Sequence, residues 1–205
     1  METEKKYKLT DECIIIDEHK LYRIEALKDF FDVRKGEQGG FIEGEYNLSH
    51  NGYCWVYDDA KVYGGAVVDG YARVSYDSKV YDYARVTDNA KVTDNARVMG
   101  YARVMGNAEV YNNAVVYYSA MVYGEAEIGG YAKIANNSDY IVFKNWWSSG
   151  RYFTWTRSDN MWRVGCFYGT SEELIEKAYN DSELSGREYE RVVKYVESIL
   201  KDSKK

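Results

Sequence analysis

The side chains that could do chemistry in this 205-residue chain are few. His19 and His50 are the only imidazoles. A general base needs hydrogen-bond reach to its substrate and a tuned pKa, and neither histidine has a partner at a recognisable spacing. His50 is the one weak candidate for a catalytic base, with a core or capping role as its alternative, and no other catalytic residue is singled out. Cys13, Cys54 and Cys166 are odd in number and lack metal spacing, which suits a reducing cytosol. Cys54 reads most simply as a small buried residue. Asp58, Asp59, Asp77, Asp82, Asp88 and Asp94 could offer oxygen ligands to calcium, but their spacing suits turn formation better. No P-loop, dinucleotide fingerprint or metal cluster is present, so neither cofactor nor metal is expected. The remaining chemistry is recognition: 22 tyrosines, and four tryptophans near the C-terminus with arginines interleaved.

The element that must position most of these groups is Val56 to Asp139, fourteen consecutive hexads without insertion. Val holds the first position twelve times, followed by Ile128 and Ile134; Ala holds the fifth twelve times, with Ser78 and Ser138 as exceptions. Across each boundary, Ala-x-Val alternates in, out, in, the period of a strand. The third and fourth positions are rich in Gly, Asp and Asn, which tolerate turns and left-handed backbone. Each hexad is thus a short strand and a corner, and a fixed short period means stacked coils. Three hexads per coil put residues eighteen apart on top of one another.

Stacking turns the sequence into columns. Lys61, Lys79, Arg97, Val115 and Lys133 fall on a first face, Val67, Arg85, Arg103, Met121 and Asp139 on a second, and Arg73, Lys91, Glu109 and Glu127 on a third. The basic column is read as a solvated face, with an anion-binding stripe as the sharper alternative. Tyr63, Tyr81 and Tyr117 line one side of a corner, Tyr83 and Tyr101 the other, and Tyr118 lies between. Tyr, Met and Arg are enriched in protein interfaces, so this corner and the second face are expected to form a subunit or partner contact.

Residues 1–55 read as a β cap with a degenerate first coil. Strands are predicted at 7–9, 13–16 and 21–27, with a turn at 17–20. Running the hexad register backwards places Cys54 and Leu48 at the small inward position and His50 at the aliphatic one. Residues 140–205 read as an α+β module. Strands are predicted at 140–143 and 151–156, and 161–167 as one returning strand. Thr170 with Glu173 and Ser185 with Glu188 are two capping boxes opening helices. Trp146, Trp147, Arg151 and Arg157 are the candidate recognition residues here, and the tryptophans serve equally as the module's core. Open coil ends are unpaired strand edges, so both flanks should act as caps.

Net charge is −6. It divides as −4 over 1–55 (8 basic, 12 acidic), −3 over 56–139 (8 and 11) and +1 over 140–205 (11 and 10). No basic footprint supports bulk nucleic-acid binding. No signal peptide or membrane-spanning run is visible.

The fourteen in-phase hexads resemble the left-handed β-helix, or hexapeptide-repeat, superfamily, over the whole of 56–139. Gly sits mostly third here (Gly64, Gly70, Gly100, Gly106, Gly124), where that family usually has it second. The resemblance implies a triangular prism, a homotrimer, and an acyltransferase whose His base sits at a corner or inserted loop near a subunit boundary. LYRIEALKDF at 21–30, GGFIE at 39–43, NLSH at 47–50 and CWVYDDA at 54–60 resemble uncharacterised bacterial and phage hexapeptide-repeat proteins that carry a transferase label. WWSSGRYFTWT and MWRVGCF resemble a phage-type module. The uninterrupted coil favours a non-enzymatic binding or scaffold protein that works through protein contacts, a homotrimer as the resemblance implies and cytoplasmic as the scattered cysteines suggest. The phage resemblance implies an accessory protein that binds a host protein and inhibits a defence component, of the anti-CRISPR type. The alternatives are an acyltransferase using His50, a nucleotide or sugar binder, and a virion fibre component.

Overall fold

A computed structural model describes residues 4–202. Each hexad contributes a two-residue strand, its sixth residue and the first of the next hexad, such as Arg85–Val86. These strands pair in parallel with partners eighteen residues away: Lys79 with Arg97, Arg85 with Arg103, Arg73 with Lys91. Three parallel sheets result, one per face. Val56 through Ile134 at the first position have no exposure, and the alanines behind them fill the corners. Branched side chains suit the pleat, and only a small residue fits where two walls converge.

The bend falls on one residue per hexad. From Asp58 to Gly130 every third-position residue has positive φ. Gly, Asn and Asp tolerate that conformation, which explains the displaced glycines; Tyr76 (φ 57°) and Tyr118 (φ 55°) adopt it at a steric cost.

At the N-terminal end, β1 (Tyr7–Ile16) and β2 (His19–Ala26) form a hairpin, and β2 pairs with β3 (Gln38–Ile42). The two predicted stretches 7–9 and 13–16 are one strand, interrupted by a bulge between Leu9 and Cys13. β3 then joins the first face in parallel, Phe41 against Lys61 and Ile42 against Val62. Leu48 bridges Val68, whereas Trp55 pairs with Arg73. The offset is therefore twenty at Leu48 and eighteen at Trp55. Two extra residues sit in the corner between them, and this corrects the backward register. Leu48 takes the aliphatic position, Cys54 the small one, and His50 lies in the enlarged corner.

At the C-terminal end a four-stranded antiparallel sheet packs under two helices, α1 (Ser171–Asp181) and α2 (Glu183–Asp202). The stretch predicted as one strand is two, Met161–Val164 and Phe167–Gly169, folded at Gly165, whose φ is +57°. Thr170 and Glu173 cap α1 reciprocally. The second expected box is displaced: Ser182 Oγ accepts from the Ser185 N–H, and Ser185 itself is buried inside α2. Trp155 and Trp162 fill this module's core.

Candidate interaction surface

The enlarged corner shows what His50 does. Its Nδ1 accepts the Lys6 backbone N–H at 3.2 Å, and its ring stacks on Tyr7 at 4.3 Å. Nε2 is shielded from solvent, 3.5 Å from a Glu45 carboxylate oxygen. The imidazole pins β1 to the solenoid and presents no open nitrogen to a substrate. Beneath it the Lys6 ammonium is buried, donating to the Cys54 carbonyl at 2.8 Å and lying 3.4 Å from Cys54 Sγ. Burial raises the Cys54 thiol pKa, with Lys6 partly opposing it, so this is a weak nucleophile. His19, expected in the turn at 17–20, opens β2, meets Glu43 at 2.9 Å and packs against Tyr63. Among the described residues no group of three or more His, Cys, Asp or Glu could hold a metal.

The corner aspartates are occupied by the coil itself. Asp58, Asp82, Asp88 and Asp94 each accept the backbone N–H of the residue eighteen later: Tyr76, Gly100, Gly106 and Asn112. The other solenoid carboxylates are also engaged, by Arg23, Lys61, Lys91, Arg163, Asn107 or nearby backbone N–H groups. Among the described residues, Lys79, Arg85, Arg97, Arg103 and Lys133 have no carboxylate partner. The solenoid's formal charge stays negative, since the carboxylates bound to backbone N–H groups keep their charge, but these five cations form no ion pair among the described residues. Aspartate at the third position facing another third-position residue eighteen later was a sequence signal that could have revealed this.

The three faces differ in what they leave open. On the third, Arg73 pairs with Asp32 at 3.2 Å, Lys91 with Glu109 at 2.6 Å, and Glu127 with Arg163 at 3.1 Å. Trp55 at its start lies buried against Phe30. On the first face, the hairpin tip covers Tyr63, which is 3% exposed and donates to Asp17. Tyr81 stacks on Tyr63 at 5.2 Å and donates to Met99 Sδ. Lys61, Lys79 and Arg97 line a shallow groove of about 600 Å³ with Asp77, Asn95 and Asn113. Among the described residues, no element covers Arg85 and Arg103 on the second face. Arg85 and Arg103 are exposed side by side. Next to them Tyr83 and Tyr101 stack at 5.2 Å, 60% and 64% exposed, with half-buried Met105 and Met121 alongside.

The predicted contact residues therefore separate. Tyr83, Tyr101 and Tyr118 are exposed, Tyr81 and Tyr117 half-buried, and Tyr63 is withdrawn under the hairpin. In the C-terminal module Trp146 is 73% exposed, while Trp147 turns inward onto Phe153 and Tyr189. Arg151 is exposed, and Arg157 donates to the Ser138 carbonyl, against the solenoid.

No family model matches the sequence. An uncharacterized acetyltransferase of Escherichia coli (strain K12), YdcK, is 47% identical over 49 residues, 23% of this chain and 15% of that protein. This chain thus spans a small fraction of that relative's length. The parallel β-solenoid and this partial relative fit the left-handed β-helix superfamily and its proteins with a transferase label. No helix among the described residues is long and apolar enough to cross a membrane.

Proposed function

We propose that this chain is a non-enzymatic binding protein that docks an acidic protein surface on its second face. The observation that carries this reading is the pairing of stacked, exposed Tyr83 and Tyr101 with exposed Arg85 and Arg103, which no carboxylate of the described chain neutralises. Tyr and Arg supply most hot-spot energy in protein interfaces, and uncommitted arginines favour a complementary negative partner. A second copy could reach this face only through carboxylates outside the solenoid, such as exposed Asp11 and Glu18, because those of the solenoid are already engaged. The trimer implied by the family resemblance then assembles through another surface. The narrower expectation, an accessory protein inhibiting host defence, has no support in the fold or in the partial relative.

The test is affinity capture from bacterial lysate, combined with mass-resolved chromatography. Arg85→Glu with Arg103→Glu should abolish capture of an acidic partner, whereas Lys79→Glu with Arg97→Glu on the first face should leave it intact. Equal capture by wild type and both variants would sink the proposal. The partial similarity to a protein named as an acetyltransferase supplies the competing reading. Heat on titration with acetyl-CoA, together with an acetyl-transfer activity lost in His50→Ala, would establish that one instead.

A further inference from the structure

The hairpin leaves an unpaired strand edge. In the eight-stranded sheet, β1 is the terminal strand and bonds only β2 among the described residues. Its two halves differ. The N-terminal half is interrupted by the bulge, where Thr10, Asp11 and Glu12 break the register, and charge with a bulge is how edges are normally protected. The second half, Cys13 to Ile16, is regular, apolar and unprotected. Cys13 and Ile15 face solvent, Ile15 at 75% exposure, while Ile14 and Ile16 lean on the cluster of Leu21, Phe41 and Tyr63. An added strand would therefore meet apolar side chains on both of its faces.

Carboxylates bracket this edge, all exposed: Asp11 and Glu12 before it, Glu12 paired with Arg23, and Asp17 and Glu18 after it, Asp17 accepting from Tyr63; Asp11 and Glu18 have no ion-pair partner among the described residues. Antiparallel pairing with a second copy centred near Ile15 would set Glu12 against Glu18 and oppose like charges. We propose that Cys13–Ile16 is a β-augmentation site for an extended peptide segment of another protein, with an apolar centre and Lys or Arg on each side. Main-chain hydrogen bonds to the free edge supply affinity, and alternate side chains with the flanking charges supply selectivity. The site lies apart from Arg85 and Arg103, so it stands or falls independently of the second-face proposal.

Fluorescence anisotropy with the labelled peptide Lys-Lys-Val-Ile-Val-Lys-Lys tests it on the full chain. Saturable binding is expected. It should weaken at least about tenfold when Glu replaces the flanking Lys, and vanish when alternate peptide nitrogens are methylated. Ile15→Lys should weaken it comparably with an unchanged thermal midpoint, and Arg85→Glu with Arg103→Glu should have no effect. Glu18→Lys with Asp11→Lys should reverse the preference between Lys- and Glu-flanked peptides. Absence of binding, or equal binding by the N-methylated peptide, would overturn the proposal. So would a dimer that Ile15→Lys converts to monomer, since a second copy would then be the occupant.

Discussion

The two ends of the solenoid solve the same problem by different means. Each face ends in a strand whose outward N–H needs an acceptor. At the C-terminal end side chains supply the acceptors: Asn137 Oδ1 to Met121 N–H at 2.8 Å, Thr154 Oγ1 to Glu127 N–H at 3.0 Å and Ser158 Oγ to Lys133 N–H at 2.7 Å, with Tyr140 Oη taking the Tyr123 N–H and Asp139 Oδ2 the Ala135 N–H. The ladder stops there. At the N-terminal end the first face is continued by backbone, through β3 and β2 to β1, which moves the open edge outward without removing it. Buried side chains hold the rest: Asn47 donates to the Gly64 and Ala66 carbonyls and accepts from Gly44 N–H, and Lys6 occupies the mouth beside Cys54. One end is terminated by local polar caps. The other is built by sheet extension and fully buried polar anchors, and it keeps a reactive edge.

This contrast sets the order of expected effects. Asn47→Ala should be the most damaging change, because it strands two carbonyls and one N–H at a fully buried site. A loss of about 3–5 kcal/mol in urea unfolding is expected, and a loss below about 1 would erase the distinction between the ends. Thr154→Val leaves a single part-buried N–H unmet and should cost only about 1–2 kcal/mol in the same assay.

Acid should separate the ends further. Glu43 is held below its usual range: burial pushes it upward but is outweighed by hydrogen bonds from His19 and the Gly64 N–H. Glu45 is lowered chiefly by its hydrogen bond from Lys5, then by His50. Both folded values lie below the ordinary 4.5, so their stabilisation is complete above that pH and fades as pH falls through the folded values. Asn137, Thr154 and Ser158 do not titrate, and the carboxylate at that end, Asp139, accepts only backbone N–H groups. Hydrogen exchange followed from pH 5 to about 3 should therefore show β1 and β2 loosening before the C-terminal sheet. Simultaneous loosening would contradict the contrast. The smallest effect belongs to the coil between the ends. Tyr76→Asn and Tyr118→Asn relieve left-handed strain and should each add roughly 0.5–1 kcal/mol, equally near either end. Unequal gains would mean that the caps strain the coil.

Much of the molecule was legible before its structure. A period of six with Val and Ala at fixed places dictates inward and outward faces, because adjacent strand residues must alternate. Three hexads per coil then place Lys79 on Arg97 and Tyr83 on Tyr101. The two capping boxes show where local reading succeeds and fails. Thr170 caps its helix because nothing distant competes, whereas Ser185 is drawn into the helix by packing and Ser182 takes its place. Three decisions lay beyond the sequence, and all join residues far apart in the chain. Two extra residues before Trp55 move His50 from the wall into a corner, where Tyr7 and Lys6 immobilise it. The hairpin tip removes Tyr63 from the surface. The carboxylates of the coil are committed to backbone and basic partners, which turns a chain of net negative charge into a solenoid with free arginines. Periodicity fixes which direction a side chain points, but what already occupies that direction depends on contacts that form only when the coil closes and its ends fold over it.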